Sequence, residues 1–228
     1  MKFTVNMSRK ETVLGWLLVL LHLLVLPVGL VLINNYLPRS LTLAQINLIA
    51  FVSVFALTIL IFWRFLWRNI LTARQNLTRC LRSALIGFLI YWLGGVLVSL
   101  LITQIDPDFA NINDANINTM LDGSAPGLAA AIVLMVPISE ECMYRGLLFQ
   151  CTRRLGKLPA YLLTIIIFAL IHVVGYIGSA DLTTLGLCLL QYLPAGFGLA
   201  WAYEHSDSIW TSIIIHVAVN LIGICAMR

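Results

Sequence analysis

Seven apolar runs dominate the chain, at residues 12–33, 41–63, 83–105, 125–150, 158–178, 183–203 and 209–226. Each is close to the ~20 residues that a helix needs to cross a bilayer. In lipid every backbone N–H and C=O must find a partner within the protein, which a helix supplies segment by segment. The runs therefore predict an all-α fold, a polytopic transmembrane helix bundle of about seven spans with a short last one. Pro27 lies inside the first run and is expected to kink it. Composition excludes a soluble core with an apolar tail. Hydrophobic residues make up 61% of the 228 residues and charged residues 11%, against about 45–50% and about 25% in soluble domains.

The few charges are segregated. Arg64, Arg68, Arg74, Arg79 and Arg82 fall between the second and third runs, and Arg153, Arg154 and Lys157 between the fourth and fifth. Lys2, Arg9 and Lys10 precede the first run. The alternate connections hold Arg39, then Asp106, Asp108, Asp114 and Asp122, then Asp181. By the positive-inside rule the N-terminus is expected to be cytoplasmic in a cell membrane and, with seven spans, the C-terminus external. The basic loop reads as a lipid-facing feature rather than a nucleic-acid patch. The turn from Tyr203 to Ser208 has no Lys or Arg and favours neither side. The polar stretch 106–124 is rich in Asn and Asp and is expected to form a loop rather than a helix. The first run is too long for a signal-peptide core and no small-residue cleavage site follows it. The chain, with its short basic N-terminus, reads as bacterial. Five scattered cysteines without a C-x-x-C pattern are expected to be free thiols.

The stretch "SEECMYRG" places Glu140, Glu141 and Arg145 inside the fourth run. Unpaired charges at that depth cost several kcal/mol or more. Glu141 and Arg145 are four residues apart, with the acid N-terminal, so they can pair on one helix face. Glu140 lies about 100° away around the helix and is left to point elsewhere. Later runs add His172, four residues after Phe168 so that the two rings can pack together, and His216, four residues before Asn220. Counted at about 1.5 Å per residue, Glu140, His172 and His216 all fall in the middle zone of the bilayer.

A carboxylate and an imidazole can activate water, and a second imidazole with an amide can stabilise an oxyanion. One Glu and two His are also a plausible zinc set with water in the fourth position. Each residue has a simpler reading. Glu141–Arg145 reads most simply as a structural ion pair, and a lone His or Asn as an interhelical hydrogen-bonder. His22 and His205 read in that way, as a satisfied and a solvated ring. Taken together, the unpaired Glu140, His172, His216 and Asn220 point to function. Rival functions are a non-enzymatic scaffold or immunity protein and a proton-coupled transporter. Against the transporter, the chain shows no two-half repeat of broken spans.

Three motifs also carry a resemblance. "EECMYRG" resembles EExxxR (Glu140, Glu141, Arg145), "FALIH" resembles FxxxH (Phe168, His172), and "HVAVN" resembles HxxxN (His216, Asn220). In this order, with "SIWTSIII" before the last, they resemble the CAAX-protease and bacteriocin-processing (Abi) family of intramembrane endopeptidases, related to type II CAAX prenyl endopeptidases. The resemblance covers about residues 125–225 and implies one membrane domain, with N-terminal helices and a polar loop in 1–124 and the catalytic helices in 125–228. It implies that Glu140 and His172 activate water, that His216 and Asn220 form the oxyanion hole, and that Glu141, Arg145 and Phe168 support them. The family is usually labelled metalloprotease. No HExxH is present here and Asn220 suits an oxyanion donor better than a zinc ligand, so no cofactor is favoured. If a zinc ion is used, Glu140, His172 and His216 are its expected ligands. The expected partners are the bilayer and a peptide or protein substrate at the membrane, with no nucleic acid. Bacteriocin processing, immunity and peptide signalling are roles the family offers.

Overall fold

The computed structural model describes residues 3–122 and 127–227. Lys2, the expected boundary at 124/125 and the first two residues of the expected fourth span lie outside the described residues. Among the described residues eight helices follow in order. They are α1 (Arg9–Asn34), α2 (Leu43–Gln75), α3 (Leu77–Ile105), α4 (Ile112–Asp122), α5 (128–152), α6 (Lys157–Val174), α7 (Leu182–Ser206) and α8 (Ile209–Ala226). Six of them, all but α4 and α5, are long and apolar enough to cross a membrane. The exception among the expected spans is α5. It holds Glu140, Glu141 and Arg145, and its 142–149 stretch is sealed inside.

Local signals set the starts. Ser8 and Glu11 form a capping box on α1, and Thr42 and Gln45 form one on α2. Asp181 caps α7 through Thr183 and Thr184. Two expectations are corrected here. The basic 64–82 stretch is not a loop, because α2 and α3 are separated by Asn76 alone. Its Arg, Leu and Gln are good helix formers and no Gly or Pro interrupts them. Within the polar 106–124 stretch, Ile112–Asp122 is a helix. The Asn111 side chain accepts from the backbone N–H groups of Asn113 and Asp114, and Ile117, Met120 and Leu121 pack against Ala44, Leu128 and Ile132. A cap and an apolar stripe outweigh the turn preference of its Asn and Asp residues.

Helix ends alternate between two poles. Arg79 Nε donates to His205 O at 2.5 Å, Thr4 N to Asp207 at 2.9 Å, and Gln150 Nε2 to Val5 O at 2.9 Å. Glu204 pairs with Arg153 at 3.0 Å and Lys157 at 3.2 Å. The 203–208 turn, which its own charges left unassigned, thus joins the N-terminus and both basic connections at one pole. Outward faces of α1, α2 and α3 leave Leu24, Leu60 and Leu97 exposed, as a lipid-facing surface requires. All five cysteines are unpaired.

α7 is the central post, packed along α3, α6 and α8. It approaches α3 where Gly198 meets Gly87. A Cβ at Gly198 would lie 2.8 Å from Gly87 O and 3.0 Å from Tyr91 N, both rigid backbone atoms. Gly198→Ala is therefore expected to lower the unfolding temperature in detergent, at a cost of about 1–3 kcal/mol. Gly95→Ala on α3, where nothing lies within 4 Å, should be neutral or slightly stabilising. Equal effects of the two substitutions would contradict this close crossing.

Candidate active site

The charged stretch of α5 sits where α6, α7 and α8 meet. Arg145 and Glu141 are fully buried and joined through Nη1 and Oε1 at 2.9 Å, the expected one-turn pair. Arg145 Nη2 also donates to Gly196 O at 3.3 Å, and its guanidinium carbon lies 4.4 Å from the centre of the Phe168 ring. The Phe of the second motif thus covers the Arg of the first, a cation–π contact away from water. Phe168 also lies 4.7 Å from the His172 ring, as their spacing suggested.

Glu141 does more than its spacing foretold. Its Oε1 accepts from His216 Nδ1 at 2.9 Å. With Nδ1–H so engaged, His216 turns Nε2 toward Glu140, whose Oε2 is 3.8 Å away. One imidazole therefore stands between the two adjacent carboxylates, which differ in role. Glu141 is committed to Arg145 and His216. Glu140 Oε2 is buried without a hydrogen-bond donor among the described residues.

His172 Nδ1 lies 2.7 Å from Phe168 O. A carbonyl only accepts, so Nδ1 carries a proton, and in the neutral ring Nε2 keeps its lone pair. Asn220 Nδ2 donates to Ile132 O at 2.9 Å. This bond has a local cause. Residues 131–135 form a π turn in which Val136 N–H reaches Ala131 O. In that register Ile132 O would take the N–H of residue 137, which is proline and has none. Asn220 fills the gap from α8 and keeps a second amide hydrogen free.

These side chains line one cavity of about 550 Å³, within the range of ligand sites. Glu140, His172, His216 and Asn220 share its wall with His22, Tyr91, Asp114 and Tyr192. A second cavity, about 340 Å³ and beside Gln150 and Arg154, has no carboxylate or imidazole in its lining. Among the described residues no three His, Cys, Asp or Glu side chains are close enough to hold a metal ion as a set.

Of the other wall residues, Tyr91 and Tyr192 went unremarked in the sequence, and His22 and Asp114 were not read as part of a site. His22 was read as an isolated histidine, yet it shares a wall with Glu140. It sits in a second π turn, Leu21–Val25, five residues before Pro27, as Ile132 sits five before Pro137. That repeated spacing was the available signal. Asp114 had none, being one acid in a polar run. Its surface opens into the cavity, and the surrounding wall holds its carboxyl above the ordinary range, while nearby His172 pulls it the other way. A carboxyl raised on folding costs stability that builds as pH rises from its unfolded-state value and is complete above its folded-state value. Asp114→Asn is expected to match or raise the unfolding temperature at neutral pH, with the gain fading as pH falls through the carboxylate range. A melting series from about pH 4 to pH 8 checks this, and a lower melting point at neutral pH would contradict it.

Residues 123–222 match the family described as type II CAAX prenyl endopeptidase Rce1-like. That region is similar to the Rce1-like family. It holds all three motifs, whereas His22, Tyr91 and Asp114 lie outside it. The chain is 29% identical to UPF0177 protein YxdF of Lactococcus lactis over 150 residues, covering 61% of this chain and 77% of that protein. It is 28% identical to the uncharacterized protein YyaK of Bacillus subtilis over 162 residues, covering 68% of this chain and 50% of that protein. It thus spans half the length of the second relative. No solved structure matches the chain. The apolar helices and the Rce1-like region together make this a multi-pass membrane protein, and the family supports CAAX-type intramembrane protease function in general.

Proposed function

We propose that the chain is an endopeptidase that hydrolyses a peptide bond of a membrane-associated protein or peptide within the bundle. The observation that carries this reading is Glu140, which lines a cavity shared with His172, His216 and Asn220 and whose Oε2 takes no donor among the described residues. A water held between the Glu140 carboxylate and His172 Nε2 attacks the scissile carbonyl carbon. Its proton passes to Glu140, the carbonyl becomes an oxyanion, and Glu140 then protonates the leaving amine as the C–N bond breaks. The free amide hydrogen of Asn220 donates to the oxyanion. His216 donates from Nε2 when doubly protonated, with Glu141 on Nδ1 as its counter-ion. Glu141, Arg145 and Phe168 hold His216 and the α5–α6 contact in place.

The test uses purified protein in lipid vesicles and tagged membrane peptides with and without a prenylated cysteine. Cleavage is expected in the wild type and expected to survive chelator treatment. Loss of cleavage on chelation, restored by zinc, would replace this mechanism with a metal-dependent one.

A further inference from the structure

We propose that Tyr192 is a positioning residue that fixes the plane of the His172 ring, and that α4 holds Tyr192 in place through Asn113. The proposal rests on the role given to His172 above. The bond from Nδ1 to Phe168 O secures one edge of the imidazole but leaves the ring free to tilt about it. Phe168 lies against one side at 4.7 Å and an angle of 52°, a loose contact. Tyr192 from α7 lies at 4.3 Å and 27°, nearly parallel, and this stacking fixes the tilt. Nε2 can meet a water shared with Glu140 only while that plane is kept.

Tyr192 is itself held at its far end. Asn113 Nδ2 donates to its hydroxyl oxygen at 3.0 Å, and Asn113 Oδ1 accepts from Tyr176 at 3.1 Å. Tyr176 follows His172 by four residues, just past the end of α6. The ring of contacts closes, from His172 to Tyr192, Asn113, Tyr176 and back to α6. Beside it Asn111 caps α4 and donates to Gln191 Oε1 at 2.7 Å, next to Tyr192 in the chain. The hydroxyl of Tyr192 is thus engaged with α4 rather than turned toward Glu140. This suits a brace and not a proton donor. The helix that the polar stretch was not expected to form thereby becomes part of the catalytic support.

The chain has four histidines, so ring spectra of histidine-labelled protein can be assigned by single substitutions. A stacked tyrosine moves the His172 ring protons upfield. Tyr192→Leu is expected to abolish that displacement and to lower kcat on the order of 10²-fold with KM little changed. Tyr192→Phe keeps the stack and should keep the shift with a smaller loss of rate. Asn113→Ala should broaden the His172 signals while Tyr192 stays in the chain. His172 signals unmoved in Tyr192→Leu, or rates that fall only with the amount of folded protein, would overturn the proposal. If Tyr192→Leu does not fold, sharp and unmoved His172 signals in Asn113→Ala would overturn it alone. A lost shift in a protein whose wild type cleaves nothing would uphold the brace and count against the hydrolytic reading instead.

Discussion

Glu140→Gln is expected to lower cleavage on the order of 10²–10⁴-fold, the usual contribution of a general base, while the protein inserts and accumulates at the wild-type level. The two halves of this expectation come from one observation. Glu140 Oε2 accepts no hydrogen bond from any described residue, so replacing the carboxylate breaks none at that oxygen. His216 Nε2 lies 3.8 Å from it, beyond hydrogen-bond length. Gln keeps the size and the polarity but cannot accept the proton of a water. Normal cleavage in this variant would remove Glu140 from the chemistry, and low abundance would show that it carries structure.

Glu141→Ala should behave in the opposite way, losing abundance and activity together. Glu141 and Arg145 are both sealed from solvent, and removing one partner leaves the other charge stranded. Such losses run to about 3–5 kcal/mol, a large part of the 5–15 kcal/mol that holds a typical domain together. The same variant releases His216 Nδ1, so activity should fall further than abundance. The double replacement Glu141→Met with Arg145→Met offers a sharper test. It strands no charge and should accumulate better than Glu141→Ala, yet it should not cleave, because His216 has lost its counter-ion. Cell-membrane blots at matched expression, with cleavage normalised to protein present, separate the two effects. Wild-type abundance in Glu141→Ala would contradict the structural role of the pair.

What the sequence disclosed was mostly what lies within one helix. A spacing of four residues was enough to pair Glu141 with Arg145 and Phe168 with His172, because both relations are set by helical geometry. The bundle itself was legible from apolar run length. Relations between helices were not. Nothing in "HVAVN" says that His216 reaches Glu141, or that Asn220 reaches the carbonyl of Ile132. The second contact depends on Pro137, which lacks a hydrogen atom that the π turn would otherwise use. His22 was hidden for a related reason, since its turn before Pro27 was read as a kink rather than as a wall of the cavity. Asp114 and the α4 helix were missed because local turn preference was weighed without the apolar stripe that packs them down.

The account rests on Glu140 performing hydrolysis, and mass spectrometry of small peptides tests that most directly. Cells carrying the wild type and cells carrying Glu140→Gln are compared at matched protein level. The account predicts at least one peptide whose shortened form disappears in the variant while its longer precursor accumulates. Identical peptide sets from the two strains would contradict it.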